Sequence, residues 1–124
     1  MSYKVYVDDE NVIHYSENGV EFFSMTEAIN EDSGEIEIGF IGQLKYEIAV
    51  SVLDELMAFA SMDKNIRIDM QQLTEISKKA QECLLTLQQS MDDSGKGRLL
   101  LCNIPRDIMA EFERIGLSQL LRIE

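Results

Sequence analysis

From residue 35 onward the apolar positions alternate between two periods. Glu35-Ile36-Glu37-Ile38-Gly39-Phe40 puts Ile36, Ile38 and Phe40 on one face and charge or glycine on the other, which predicts a half-buried strand. At Leu44 the spacing becomes helical, with Leu44, Ile48, Val52 and Leu56 on one stripe that Ala49, Leu53 and Ala60 widen. A second strand is predicted at Ile66-Arg67-Ile68-Asp69-Met70, followed by a polar crossover from Gln71 to Ile76. A second helix then carries Ile76, Ala80, Cys83, Leu84, Leu87 and Met91 inward, and Asp92-Asp93-Ser94-Gly95-Lys96-Gly97 breaks it as a surface loop. Leu99-Leu100-Leu101-Cys102 is a short continuous apolar run, the pattern of a strand covered on both faces. A third helix begins near Pro105, suited to a first helical position, buries Ile108, Met109, Phe112 and Ile115, and stops at Gly116. Leu117, Leu120 and Leu121 add a final apolar turn.

The first third reads as β structure cut by turns. Tyr3, Val5 and Val7 alternate with Lys4 and Tyr6, a second run spans Val12 to Tyr15, and a third spans Val20 to Phe23. Asn18-Gly19 between the last two suits a tight hairpin, because both residues tolerate positive φ. Ser24-Met25-Thr26-Glu27 fits either a helix capping box or a continuing strand, and Asp32-Ser33-Gly34 is a turn. Helices between the later strands imply parallel pairing by crossovers, and the hairpin adds antiparallel strands. The expected class is α/β: a mixed sheet with helices mainly on one face and an extra N-terminal β-hairpin.

At 124 residues the chain holds one domain with a real core and is too short for two ordinary ones. Eleven basic against 23 acidic side chains leave a formal charge of −12, which repels phosphate backbones and anionic lipid. Neither nucleic acid nor a membrane surface is an expected partner. The opening residues, Met1 to Asp9, alternate and then turn acidic, so they lack the apolar core of a signal peptide. Ile48 to Ala60 is too short to span a bilayer and contains Asp54 and Glu55, so the cytoplasm is the default compartment.

Little in the sequence points to catalysis. Cys83 and Cys102 lie within apolar patterns and read as reduced core thiols. His14 is the only histidine, so a two-histidine metal site cannot form, and it falls in the expected hairpin. No metal or cofactor is expected. The acidic pairs Asp8-Asp9, Asp54-Glu55 and Asp92-Asp93 sit in turns or on polar faces, where solvation explains them. Gly95-Lys96-Gly97 lacks the spacing of a phosphate-binding loop, and the seven methionines read as core filler. The expectation is a protein that is not an enzyme.

One local feature stands out. Lys78-Lys79 falls in the first turn of the second helix, where outward-pointing amides carry partial positive charge and a cation costs about 0.3–1 kcal/mol. Ser77 suits the N-cap, and Thr74 is the rival cap if the helix begins earlier.

Several weak motifs in order give a resemblance. Phe40-Ile41-Gly42-Gln43-Leu44 before a helix, the strand Ile66 to Met70 ending near an Asp, and Leu99 to Ile104 followed by Ile115-Gly116-Leu117 and Leu120-Leu121 resemble the sulphate transporter and anti-sigma factor antagonist (STAS) domain. The match covers roughly Glu35 to Leu121. It divides the single domain into a core over 35–124 and a hairpin extension, continuous with the sheet, over 1–34. The family's phosphorylated Asp-Ser-Ser-Gly motif at the second helix falls here on Ser77, Lys78, Lys79 and Ala80, so both family serines are lysines. Ser77, displaced by one position, is the remaining candidate phosphoacceptor.

The resemblance implies a protein–protein interaction module of bacterial regulation. Its expected docking face is Ser77, Lys78, Lys79, Gln81 and Glu82 with the preceding loop residues Gln72, Thr74 and Glu75. The implied partner is a protein such as an anti-sigma factor or a kinase-like ATPase. The alternative is a constitutive subunit of a larger complex, a signalling scaffold or lipid-transport assembly, with the N-terminal hairpin supplying the edge for a homodimer.

Overall fold

The computed structural model describes residues 3–124. Met1 and Ser2, the start of the N-terminal segment, lie outside them. Six strands form one sheet in sequential order: β1 (Lys4–Val7), β2 (Ile13–Glu17), β3 (Val20–Ile29), β4 (Ile36–Leu44), β5 (Ile66–Ile76) and β6 (Leu99–Cys102). The first four are an antiparallel meander, whereas β4, β5 and β6 pair in parallel. That change of direction follows from the connections: β4 leads into α1 (Tyr46–Ala60), β5 into α2 (Lys78–Ser94) and β6 into α3 (Arg106–Arg114). A 3-10 turn, Leu117–Gln119, follows α3.

The alternation in β4 works as expected, burying Ile36, Ile38, Phe40 and Leu44 on the helix side. α1 buries Ile48, Ala49, Val52 and Leu56, and it meets α2 through Leu53, Cys83 and Leu84 over Phe40. The N-terminal strands share this core rather than hanging from it. Tyr15 is fully buried, its hydroxyl is 3.0 Å from Ser51 Oγ on α1, and its ring contacts Phe23, which meets Phe40 edge-on at 5.5 Å. A single apolar cluster runs from Ile13 to Leu121.

Several element boundaries differ from the sequence reading. β3 extends through Ser24-Met25-Thr26-Glu27 to Ile29, because pairing with β2 on one side and β4 on the other outweighs the capping-box pattern. The expected crossover at 71–76 is strand: β5 pairs with β4 as far as Leu44↔Ile76. Register shifts after Gly39 and after Gly42 leave extra residues on β5, so its buried positions pass from Met70 to Leu73 to Ile76 at intervals of three. α1 starts after Leu44, which closes β4, and Lys45 is its N-cap. α2 continues through Asp92 and Asp93 to Ser94, and Gly95 at φ 69° ends it by donating to the Met91 carbonyl at 3.1 Å. Pro105 precedes α3 as its N-cap, and Ile115 is half-exposed rather than inward. In β6, Leu100 is only half-buried, so that strand is not covered equally on both faces.

Two glycines are dictated by close approach. At Gly42, φ is +97° and a Cβ would stand 2.3 Å from the Phe22 carbonyl oxygen on β3. At Gly97 a Cβ would stand 2.3 Å from the Lys64 carbonyl oxygen, so packing accounts for the second glycine of Gly95-Lys96-Gly97. The C-terminal residues close the β6 edge. Leu101 and Ile123 form a parallel bridge, Leu101 N–H donates to Arg122 O at 3.0 Å, and Glu124 N–H donates to Leu101 O at 2.9 Å. Gln88 on α2 holds this segment from the helix side, donating to Leu120 O at 2.6 Å and accepting from Arg122 N–H at 2.7 Å.

Candidate functional site

Because β4 and β5 are parallel and end side by side, α1 and α2 begin at the same end of the sheet. The joint is bonded: Ser77 N–H donates to the Leu44 carbonyl at 2.9 Å. Ser77 has extended geometry (φ −73°, ψ 158°), and its Oγ accepts the Ala80 amide at 3.1 Å. It is therefore the N-cap of α2, while Thr74 belongs to β5. Lys78 is exposed and Lys79 half-exposed in the turn that follows, which contains no acid. Among the described residues neither lysine lies within ion-pair distance of a carboxylate. Their charges add to the positive end of the helix dipole instead of cancelling it.

Beside this turn lies an open groove of about 510 Å3 between the starts of the three helices and the end of β5. Glu47, Glu75, Asp107 and Glu111 contribute carboxylates, against the single ammonium of Lys45. Lys45 is held over the Phe22 ring, 4.4 Å from its centroid. Tyr46, two-thirds exposed, stands at the α1 end. The surface is thus bipolar: a basic helical turn bordering an acidic groove. Lys45, Tyr46, Glu47, Asp107 and Glu111 were absent from the sequence-based set. Parallel β4 and β5 followed by helices carry a signal for them, since the carboxyl ends of parallel strands bring successive loops together.

The expected docking residues divide in this setting. Ser77, Lys78, Lys79 and Glu82 remain on the first turns of α2, and Gln72, Thr74 and Glu75 are exposed on the distal part of β5 rather than on a loop. Gln81 does not belong with them. It is 1% exposed, and its Nε2 donates to Glu111 Oε1 at 3.0 Å, so it ties α2 to α3. Its Oε1 is buried and finds no hydrogen-bond partner among the described residues.

The other reactive side chains are accounted for by packing. Cys83 and Cys102 are free and buried, and burial pushes both thiols up, away from the nucleophilic thiolate. Burial also raises Glu27, which faces Glu55 of α1, and the Tyr15 hydroxyl. His14 sits on the sheet face away from the helices, its Nε2 2.7 Å from Asp8 Oδ2 and its Nδ1 2.6 Å from Glu21 Oε1, with its ring stacked on Tyr6. The hydrogen bond with Asp8 raises His14 above the usual imidazole range and lowers Asp8 in turn.

No family model matches the sequence, and no curated protein matches it significantly. Comparison with solved structures finds the architecture in anti-sigma factor antagonists. A candidate antagonist from Thermotoga maritima, TM1081, superposes with a TM-score of 0.66 at 15% identity, over 80% of this chain and 84% of that one. The unphosphorylated form of the antagonist SpoIIAA gives 0.65 at 13% identity, over 81% and 87%. An antagonist from Mycobacterium paratuberculosis gives 0.61 at 10% identity, over 80% and 84%. The chain has the STAS fold: a mixed sheet with its helices on one side. No helix among the described residues is long and apolar enough to cross a membrane.

Proposed function

We propose that this protein is a non-enzymatic docking module of bacterial regulation, acting in the cytoplasm through the start of α2 and the groove beside it. The observation that carries the reading is the pair Lys78 and Lys79, without carboxylate partners, on the first turn of α2. SpoIIAA, whose fold this chain shares, is known in phosphorylated and unphosphorylated forms. Here the turn carries permanent positive charge, so binding through it is insensitive to a kinase at those two positions.

The partner is a protein, with an anti-sigma factor or kinase-like ATPase as the class favoured by the fold. Its matching surface is also bipolar, placing acid against Lys78 and Lys79 and base against Glu47, Glu75 and Asp107. Such complementarity steers encounter and fixes register more than it adds affinity. Gln72, Thr74, Glu75, Ser77 and Glu82 form the rim of this contact. Ser77 is the remaining hydroxyl of the turn, and its mass in protein recovered from the native cell tests whether it is phosphorylated.

The test is double charge reversal, Lys78→Glu with Lys79→Glu, followed by affinity capture from the native cell and identification of what is retained. Acids at this turn favour the helix dipole by about 0.3–1 kcal/mol each, so the variant should melt no lower than the parent. Loss of a specifically retained protein at unchanged melting temperature is the expected outcome. Retention of the same proteins in the same amounts would refute the docking face. A second reading, a constitutive subunit of a larger assembly, draws on the open strand edge at β1.

A further inference from the structure

The two edges of the sheet are treated differently. At β6 the C-terminal residues occupy the edge through the Leu101–Ile123 bridge. At β1 the described residues pair only with β2. Asp8 N–H donates to Val12 O at 3.0 Å, continuing the β1–β2 ladder by one position. Amides alternate in direction along an antiparallel strand, so Lys4 and Tyr6 also face β2, while Val5 and Val7 direct their N–H and C=O groups away from the sheet.

The side chains at this edge are not protective. Val5 is 45% exposed and Val7 59%, although they stand opposite the buried Tyr15 and Ile13. Tyr6, on the other face, is 54% exposed. Apolar edges are normally blunted by charge, proline, a bulge or shortness, and of these β1 has only its length of four residues. Here the only cation on the strand is at one end, Lys4, and the first acid follows the other end, Asp8.

We propose that a second copy of this chain adds across β1, antiparallel, about a two-fold axis at Tyr6. In this register Val5 lies opposite Val7 of the second copy and exchanges both backbone bonds with it. The symmetric pair does the same. Val5 and Val7 side chains meet on the helix-side face, Tyr6 faces Tyr6, and Lys4 lies across from Asp8.

The alternatives are few, because outward amides must face outward amides. Centring the axis on Val5 places Lys4 across from Tyr6, and centring it on Val7 places the charge of Asp9 across from Val5. Only the Tyr6 register among these three joins opposite charges and keeps the apolar face uninterrupted. Asp8 is prepared for such a contact. Its Oδ1 accepts from Glu10 and Val12 amides at 2.8 and 3.1 Å and its Oδ2 meets His14, leaving one of about four acceptor positions for a lysine. The occupant that fits is the chain itself, since the edge carries both halves of the charge pair.

The full chain should show a reversible monomer–dimer equilibrium by sedimentation between about 1 μM and 1 mM. Lys4→Glu sets acid against Asp8 and should weaken the dimer at least tenfold. Val7→Pro removes an outward N–H that the monomer does not use and should abolish it; Lys4→Glu keeps the test valid if the proline variant misfolds. Register is read by single cysteines. Facing non-bonded residues have Cα atoms about 4.5 Å apart, within disulfide range, so Tyr6→Cys should oxidise to a covalent dimer faster than Val5→Cys or Val7→Cys. A chain that stays monomeric throughout that range, or faster linkage through Val5→Cys or Val7→Cys, would overturn the proposal.

Discussion

Gly42→Ala should be among the most damaging single-methyl additions in this protein, and its cost can be worked from two separate terms. The residue sits at φ +97° with the Phe22 carbonyl oxygen 2.3 Å from where a Cβ would be, closer than the 3.0 Å that such atoms keep from a neighbour. The positive φ costs an L-residue about 1–2 kcal/mol. The overlap is with backbone, so β3 and β4 must separate near the end that leads to Lys45, adding about 1–3 kcal/mol as in an overpacked core. The total, about 2–5 kcal/mol, is a large share of the 5–15 kcal/mol typical of a domain. Gly19→Ala is the matched control, because φ there is +78° with nothing within 4 Å. Urea denaturation of both variants gives the comparison. Gly42→Ala should lose at least about 1 kcal/mol more than Gly19→Ala at an unchanged m-value. Equal losses would refute the close approach of β3 and β4 as the reason for glycine.

Three further outcomes are expected. Ser77→Ala should cost about 1 kcal/mol in denaturation while Ser77→Asp stays near the parent, since the N-cap role needs an acceptor for the Ala80 amide. Gln81→Glu should lower stability by about 1–3 kcal/mol by setting a buried carboxylate against Glu111, whereas Gln81→Leu should change it by less than about 1 kcal/mol because it also removes the unpartnered Oε1; thermal melts distinguish them. For His14, the raised folded pKa means that its contribution is complete below the unfolded value near 6.5 and disappears as pH rises through the folded value. Asp8 acts in the opposite sense, losing its contribution as pH falls through its lowered value. The stability gap between the parent and His14→Gln should therefore be present near about pH 5.5 and absent near about pH 9; a gap that grows with pH would contradict the Asp8–His14–Glu21 arrangement.

The sequence exposed those elements whose burial follows one period. β4 alternates cleanly from Ile36 to Phe40 and α1 keeps a helical stripe, so both were readable, although β4 runs four residues farther, to Leu44, and α1 begins only at Tyr46. The distal half of β5 was not, because its register shifts convert an alternation of two into steps of three, and the polar residues left outside resemble a loop. β3 was shortened in the reading because the local capping pattern at Ser24 competes with long-range pairing that sequence periodicity cannot weigh. Gln81 was placed on the docking face together with the rest of the α2 start, as the family resemblance implies. Its spacing told otherwise, since Gln81, Leu84, Gln88 and Met91 fall on one helical stripe and all four are buried. The start of α2 was legible at the cap, where Ser77 precedes Lys78. Of the acidic side of the groove only Glu75 was, because Glu47, Asp107 and Glu111 join it only through the parallel topology.

A protein partner that docks on the first turn of α2 and its groove can be linked there covalently. The most direct measurement is site-specific photocrosslinking in the native cell, with the reactive residue at Lys79 and, in a parallel strain, at Gln89 farther along the same helix. One protein should be linked through position 79 and not through position 89, with the linkage lost when Lys78→Glu is added. Equal linkage at both positions, or linkage that survives Lys78→Glu unchanged, would contradict it.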